Sequence, residues 1–139
     1  MLYTNMMNLI TYVIHYTPLK ERKQFLLNEF NKHSLIYYFD KDYDRENLSD
    51  EDLKIFDTKF SKSQCGITLS HINAYRNIMN NEYKYSLILE DDVILDDKFG
   101  DKLNKGLEQL PDDYDMLFIG NGCCLHIESS KIKPDQFIY

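Results

Sequence analysis

The stretch LITYVIHYTPLKERKQFLLNEFNKHSLIYYF, Leu9 to Phe39, decides the architecture. Its first eight residues, LITYVIHY, are rich in β-branched and aromatic side chains, which predicts a buried strand. Thr17-Pro18 reads as a helix start, with Thr17 as the cap and Pro18 in the first turn, where a missing N–H costs nothing. From Leu19 to Phe30, Leu19, Phe25 or Leu26, and Phe30 share roughly one face, while Lys20, Glu21, Arg22 and Lys23 fall mostly on the other. Ser34 to Phe39, SLIYYF, is a second strand. Strand, helix, strand implies a parallel pair joined by a right-handed crossover.

The rest of the chain continues that alternation. Asp40 to Asp52 is acidic and polar and reads as a solvated loop, with Ser49 and Asp52 spaced as a capping box for a short helix to about Phe56. Ser63 to Asn80 predicts a helix whose apolar stripe is Ile67, His71, Ala74, Tyr75, Ile78 and Met79. Tyr85 to Leu89 is a third strand, running into Glu90-Asp91-Asp92. Phe99, Leu103, Leu107 and Leu110 mark an amphipathic helix stopped by Pro111, and Asp115 to Ile119 predicts a fourth strand. The expected fold class is a doubly wound α/β domain, a mostly parallel sheet flanked by helices.

With 139 residues the chain has the length of a single domain, 1–139. Sixteen basic and 23 acidic side chains leave a net charge of −7, which argues against nucleic acid as the partner. An acidic chain can still hold an anionic ligand through a divalent cation. Cys65, Cys123 and Cys124 form neither a disulfide framework nor a CxxC pair, and read as buried thiols of a reducing compartment. The start of the sequence has no charged n-region and no stretch approaches a membrane span. The expected location is therefore the cytoplasm, or the periphery of a membrane.

Chemistry concentrates at the strand ends. Asp40 stands at the carboxyl end of the second strand, the edge at which open α/β sheets bind ligands. Glu90 and Asp92 are expected to point one way and Asp91 the other. Three adjacent carboxylates repel one another, and a hard cation such as Mn²⁺ or Mg²⁺ would relieve that repulsion. A solvent-exposed turn with an Asp capping the next element accounts for the triplet equally well. His71 reads as a satisfied boundary residue, and His15, His33 and His126 as isolated ones. No GxSxG elbow, Walker-type loop, GxGxxG or HExxH is present. A phosphoacceptor receiver-type domain would need an acidic pair after the first strand, where His15-Tyr16 stands instead.

The block Ser61 to Gly66 (SKSQCG), Leu69-Ser70-His71, Ala74-Tyr75 and Leu87 to Leu95 (LILEDDVIL) resembles glycosyltransferase family 25, which includes lipooligosaccharide and collagen hydroxylysine galactosyltransferases. An LSH element twenty residues ahead of an LEDD element carries most of the likeness. The resemblance implies a GT-A fold, a UDP-galactose or UDP-glucose donor, Mn²⁺ or Mg²⁺, and a glycan, lipooligosaccharide or protein acceptor. Carried over, Asp92 is the direct metal ligand and Glu90 contacts metal water or ribose. Thr17, Arg22, Asp40 and Asp91 fall to donor binding, with Arg22 at the diphosphate. The implied reaction inverts the anomeric centre and needs a carboxylate base, to which no residue here corresponds. The sequence is therefore expected to correspond to the donor-binding portion and to lack the acceptor-binding half. A non-catalytic module that binds a nucleotide sugar is the alternative.

Overall fold

The computed structural model describes residues 9–120. The chain divides into two compact units, one reaching to Leu95 and one beginning at Asp96. The first is an α/β unit. β1 (Ile10–Ile14) lies between β2 (Ile36–Phe39) and β3 (Ser86–Glu90), and both neighbours run parallel to it. The register sets Val13 beside Phe39 on one side and Ile14 beside Glu90 on the other. The expected parallel pair is present, and the sheet order is β2-β1-β3.

Alternation along β1 sends its side chains to two different helices. Toward one face, Val13 joins Leu87, Leu89 and Phe39 with Leu26 and Phe30 of α1 (Lys20–His33), and Val13, Leu26 and Phe30 are wholly buried. Phe30 stacks at a tilt on Tyr37 and Phe39, with ring centroids 5.2 and 6.3 Å apart. Toward the other face, Tyr12 and Ile14 pack with Ala74, Ile78 and Ile88, so α3 (Lys62–Asn80) covers it. A strand covered on both faces reads as a near-continuous apolar run, which is why LITYVI shows no polar alternation, and its Thr11 is wholly buried with the rest.

Several local expectations are corrected. Thr17 does not cap α1: the helix starts at Lys20 after Leu19 and has no side-chain cap. The Thr17 N–H donates to Asp44 Oδ1 at 2.9 Å and its hydroxyl to Asp44 Oδ2, so its oxygen is engaged away from the helix. The Ser49–Asp52 capping box is present, but its helix α2 (Asp50–Leu53) ends before Phe56. A second capping box, Ser61 with Gln64, starts α3 and was not anticipated. The buried line of α3 is Cys65, Gly66, Leu69, Ser70 and Ala74, whereas Ile67, Tyr75 and Met79 of the expected stripe are exposed. Cys65 is buried against Leu48 and Leu69, as expected of a small apolar thiol.

The acidic segment after β2 is not simply a solvated loop. Leu48 is buried and packs with Cys65, Leu69, Tyr43, Leu53 and Phe56. Gly66 makes this approach possible, because a Cβ there would stand 2.5 Å from the Tyr43 carbonyl oxygen.

In the second unit, α4 (Phe99–Glu108) buries Phe99 and Leu103, in agreement with the amphipathic pattern. The fourth strand expected at Asp115 to Ile119 is absent: these residues are irregular, with Met116 and Phe118 exposed. Strand propensity depends on context and does not by itself make a strand. The readings of Cys123, Cys124, His126 and the polar stretch 128–136 lie outside the described residues. Among the described residues no helix is long and apolar enough to cross a membrane.

Candidate functional site

The strand order reverses at β1: the chain first moves to β2 on one side, then returns to β3 on the other. Ligands of open parallel sheets bind in the crevice outside the strand carboxyl ends at such a point. Here a cleft of about 210 Å³ opens between the ends of β1 and β3. It is lined by Ile14 to Tyr16, Leu19 and Arg22, by Glu90 and Asp91, and by Tyr43 to Arg45 with Ser63, Gly66, Ile67 and Ser70.

Asp91 ties the first two of these groups together. It is buried, and its Oδ2 accepts from the His15 ring Nδ1 at 2.9 Å and from the Tyr16 N–H at 3.4 Å. Its Oδ1 accepts from Arg22 Nη1 at 2.7 Å. The Asp91 hydrogen bond, followed by its charge, pushes the Arg22 guanidinium further above its ordinary value. Arg22 itself is half exposed, so one end is fixed and the rest faces the cleft.

Glu90 and Asp92 differ from Asp91. Both are exposed; Glu90 lines the crevice, while Asp92 follows Asp91 in sequence and lies close enough for its charge to reach Arg22. Glu90 points to the α3 side, where His71 Nε2 donates to its Oε1 at 3.3 Å. Among the described residues no group of three or more His, Cys, Asp or Glu side chains is placed to hold a metal ion. Two exposed carboxylates, Glu90 and Asp92, are donors of the kind that suits a hard divalent ion, which takes one or two carboxylates and completes its shell from phosphate and water. They do not form a preassembled cage.

The loop after β2 is tied over the end of β1. The Tyr16 hydroxyl donates to Glu46 Oε1 at 2.6 Å, Arg45 lies 4.6 Å from the Tyr16 ring centre, and Arg45 Nε donates to Glu46 at 2.7 Å. The Tyr16 and Arg45 hydrogen bonds hold the Glu46 carboxyl below its ordinary value, and the bond to Glu46 raises the Tyr16 phenol. Asp44 and Arg45 have no place in the sequence reading. The glycine inside the α3 pattern was the available hint of a close approach.

Of the anticipated residues, then, Arg22, Glu90 and Asp91 line one cleft and Asp92 follows them directly. Thr17 is engaged with Asp44. Asp40 is buried at the end of β2, accepting from the Asp42 N–H at 3.1 Å and from Asn73 Nδ2 at 3.4 Å, and it does not line the cleft.

Comparison with known proteins follows the same lines. The family model described as Glycosyltransferase family 25 (LPS biosynthesis protein) matches residues 8–133. The chain is 26% identical over 137 residues to a Haemophilus influenzae protein named "Putative glycosyltransferase", covering 92% of this chain and 48% of that protein. The chain thus spans about half the length of this curated relative. No solved structure matches it.

Proposed function

The chain belongs to glycosyltransferase family 25, and on that premise we propose that it is the donor-binding portion, 1–139, of a metal-dependent enzyme. That enzyme transfers galactose or glucose from a UDP-sugar to a glycan, lipooligosaccharide or hydroxylysine-type acceptor on a GT-A fold. The observation that supports the reading is an anchored guanidinium lining one crevice with the exposed carboxylate of Glu90, the exposed Asp92 standing two residues on.

Each element of the crevice then has a task. Arg22, tied to Asp91, offers its remaining N–H groups to diphosphate oxygens, for which a planar guanidinium is suited. Glu90 and Asp92 are the residues that would hold Mn²⁺ or Mg²⁺, with Asp92 the direct ligand. When bound, the cation supplies Lewis-acid neutralisation of the charge on the departing UDP. Thr17 acts through Asp44 and Asp40 through Asn73, shaping the loop that borders the nucleotide rather than touching it. A volume of about 210 Å³ suits one portion of the donor, since pockets enclosing whole small ligands run to roughly 300–1,000 Å³.

The test is thermal unfolding with UDP and Mn²⁺, together and separately, alongside consumption of UDP-galactose and UDP-glucose. UDP with Mn²⁺ is expected to stabilise by about 2.7 kcal/mol at a hundredfold excess over Kd. Mn²⁺ alone is expected to do little, because two carboxylates make no complete site. Stabilisation with no sugar nucleotide consumed, with or without acceptor, favours the non-catalytic module. No shift, with Asp92→Asn indistinguishable from wild type, refutes both.

A further inference from the structure

We propose that His15 is a positioning residue: through Asp91 it fixes the guanidinium of Arg22 at the cleft. The inference rests on the reading of Arg22 as the diphosphate contact. Asp91 oxygens only accept, so the His15 ring must present Nδ1–H to Oδ2. His15 is 1% exposed at its side chain, its Nε2 has no partner among the described residues, and its ring sits edge-on to Phe39 at 5.4 Å. Asp91 is therefore the ring's polar partner, and an orphaned nitrogen is retained in apolar surroundings where Phe or Leu would pack without that cost.

The geometry of the carboxylate explains what is gained. With Oδ2 occupied by His15 and the Tyr16 N–H, Oδ1 is turned toward α1, where Arg22 Nη1 meets it at 2.7 Å. Arg22 is half exposed and has no other hydrogen bond among the described residues. A long, half-exposed side chain held at a single atom depends on that atom's acceptor staying still. Without the His15 donor the carboxylate keeps only the longer 3.4 Å bond from the Tyr16 N–H on that oxygen, and Arg22 follows its added freedom. The device spans 76 residues of sequence and closes only because β1 and β3 are neighbours.

The experiment uses the full chain with His15→Asn, which keeps an N–H near the Nδ1 position, and His15→Phe, which keeps a ring but no donor. UDP affinity with Mn²⁺ is expected to fall about tenfold in His15→Phe, the scale of a lost charge-assisted hydrogen bond, and to stay within about threefold in His15→Asn. His15→Phe added to Arg22→Ala is expected to weaken binding no further than Arg22→Ala alone. Where turnover is measurable, the loss falls in KM rather than kcat. A ligand-free readout separates this proposal from the function it rests on. The Arg22 side-chain N–H signals in NMR are restricted in wild type and His15→Asn, and averaged in His15→Phe. If wild type binds no UDP the functional reading fails, and those signals still decide the role of His15. If His15→Phe does not fold, His15→Leu, which likewise has no donor, takes its place. Wild-type affinity and a restricted Arg22 in a folded donor-less variant, or losses that add to those of Arg22→Ala, overturn the proposal.

Discussion

Glu90, Asp91 and Asp92 are neighbours in sequence yet occupy two different environments. Asp91 lies under α1, buried and bonded to a ring nitrogen, a backbone N–H and a guanidinium. Glu90 and Asp92 are exposed, Glu90 at the open crevice, where its side chain meets the partly buried His71. The same chemical group therefore serves two purposes within three residues. The buried one is committed to the protein, and the exposed pair is what remains available to a ligand. An acidic triplet at a strand end is thus not one site but a scaffold residue between two candidate ligands.

The largest test of that contrast is Asp91→Ala. It leaves a buried imidazole N–H and a cation without their acceptor, and should cost about 2–3 kcal/mol in urea unfolding, toward the lower end for a broken buried pair because Arg22 is half exposed. Asp92→Ala in the same assay should stay within about 0.5 kcal/mol of wild type, as surface substitutions do. Equal costs at the two positions would break the comparison.

Gly66→Ala probes the loop that borders the cleft. A Cβ 2.5 Å from the Tyr43 carbonyl forces backbone to move, so a loss of about 1–3 kcal/mol is expected, in the range for overpacking. Hydrogen exchange should show the effect concentrated in residues 43–46, away from Asp91. An unchanged exchange pattern there would mean that the loop is not pinned as described.

The smallest effect comes from acid. Asp52 is held below its ordinary value by the Ser49 hydroxyl and then by the Ser49 N–H. A carboxyl depressed in the folded state contributes stability that is present above its unfolded pKa and lost as pH falls through the folded one. The capping box should therefore hold at neutral pH and disappear on acidification below the usual carboxylate range. Ser49→Ala should show a slightly lower Tm at neutral pH and a shallower loss in acid. Unlike Asp91, this exposed carboxylate should leave UDP binding unchanged when its partner is removed.

What was legible in the sequence follows from which interactions are local. The run LITYVI announces a strand covered on both faces, and the alternation that opposes Asp91 to Glu90 is a property of β geometry, so the two environments were visible in outline. The Ser49 box is four residues long and was read directly. The cap assigned to Thr17 was wrong because Asp44, 27 residues away, engages both its N–H and its hydroxyl. His15 looked isolated because its partner is reached only once Ile14 is registered beside Glu90. Asp115 to Ile119 carried strand propensity, but pairing requires an edge that no residue-level preference supplies.

The central claim is that the crevice between β1 and β3 takes a UDP-sugar through Arg22 and a cation held at Glu90 and Asp92. Calorimetric titration of UDP into wild type and Asp92→Asn, each with and without Mn²⁺, tests it most directly. Wild type is expected to bind UDP in a Mn²⁺-dependent manner, and Asp92→Asn to lose at least about tenfold at unchanged Tm, the scale of a removed charged ligand contact. Binding that is absent in wild type, or equal in the two proteins, would contradict it.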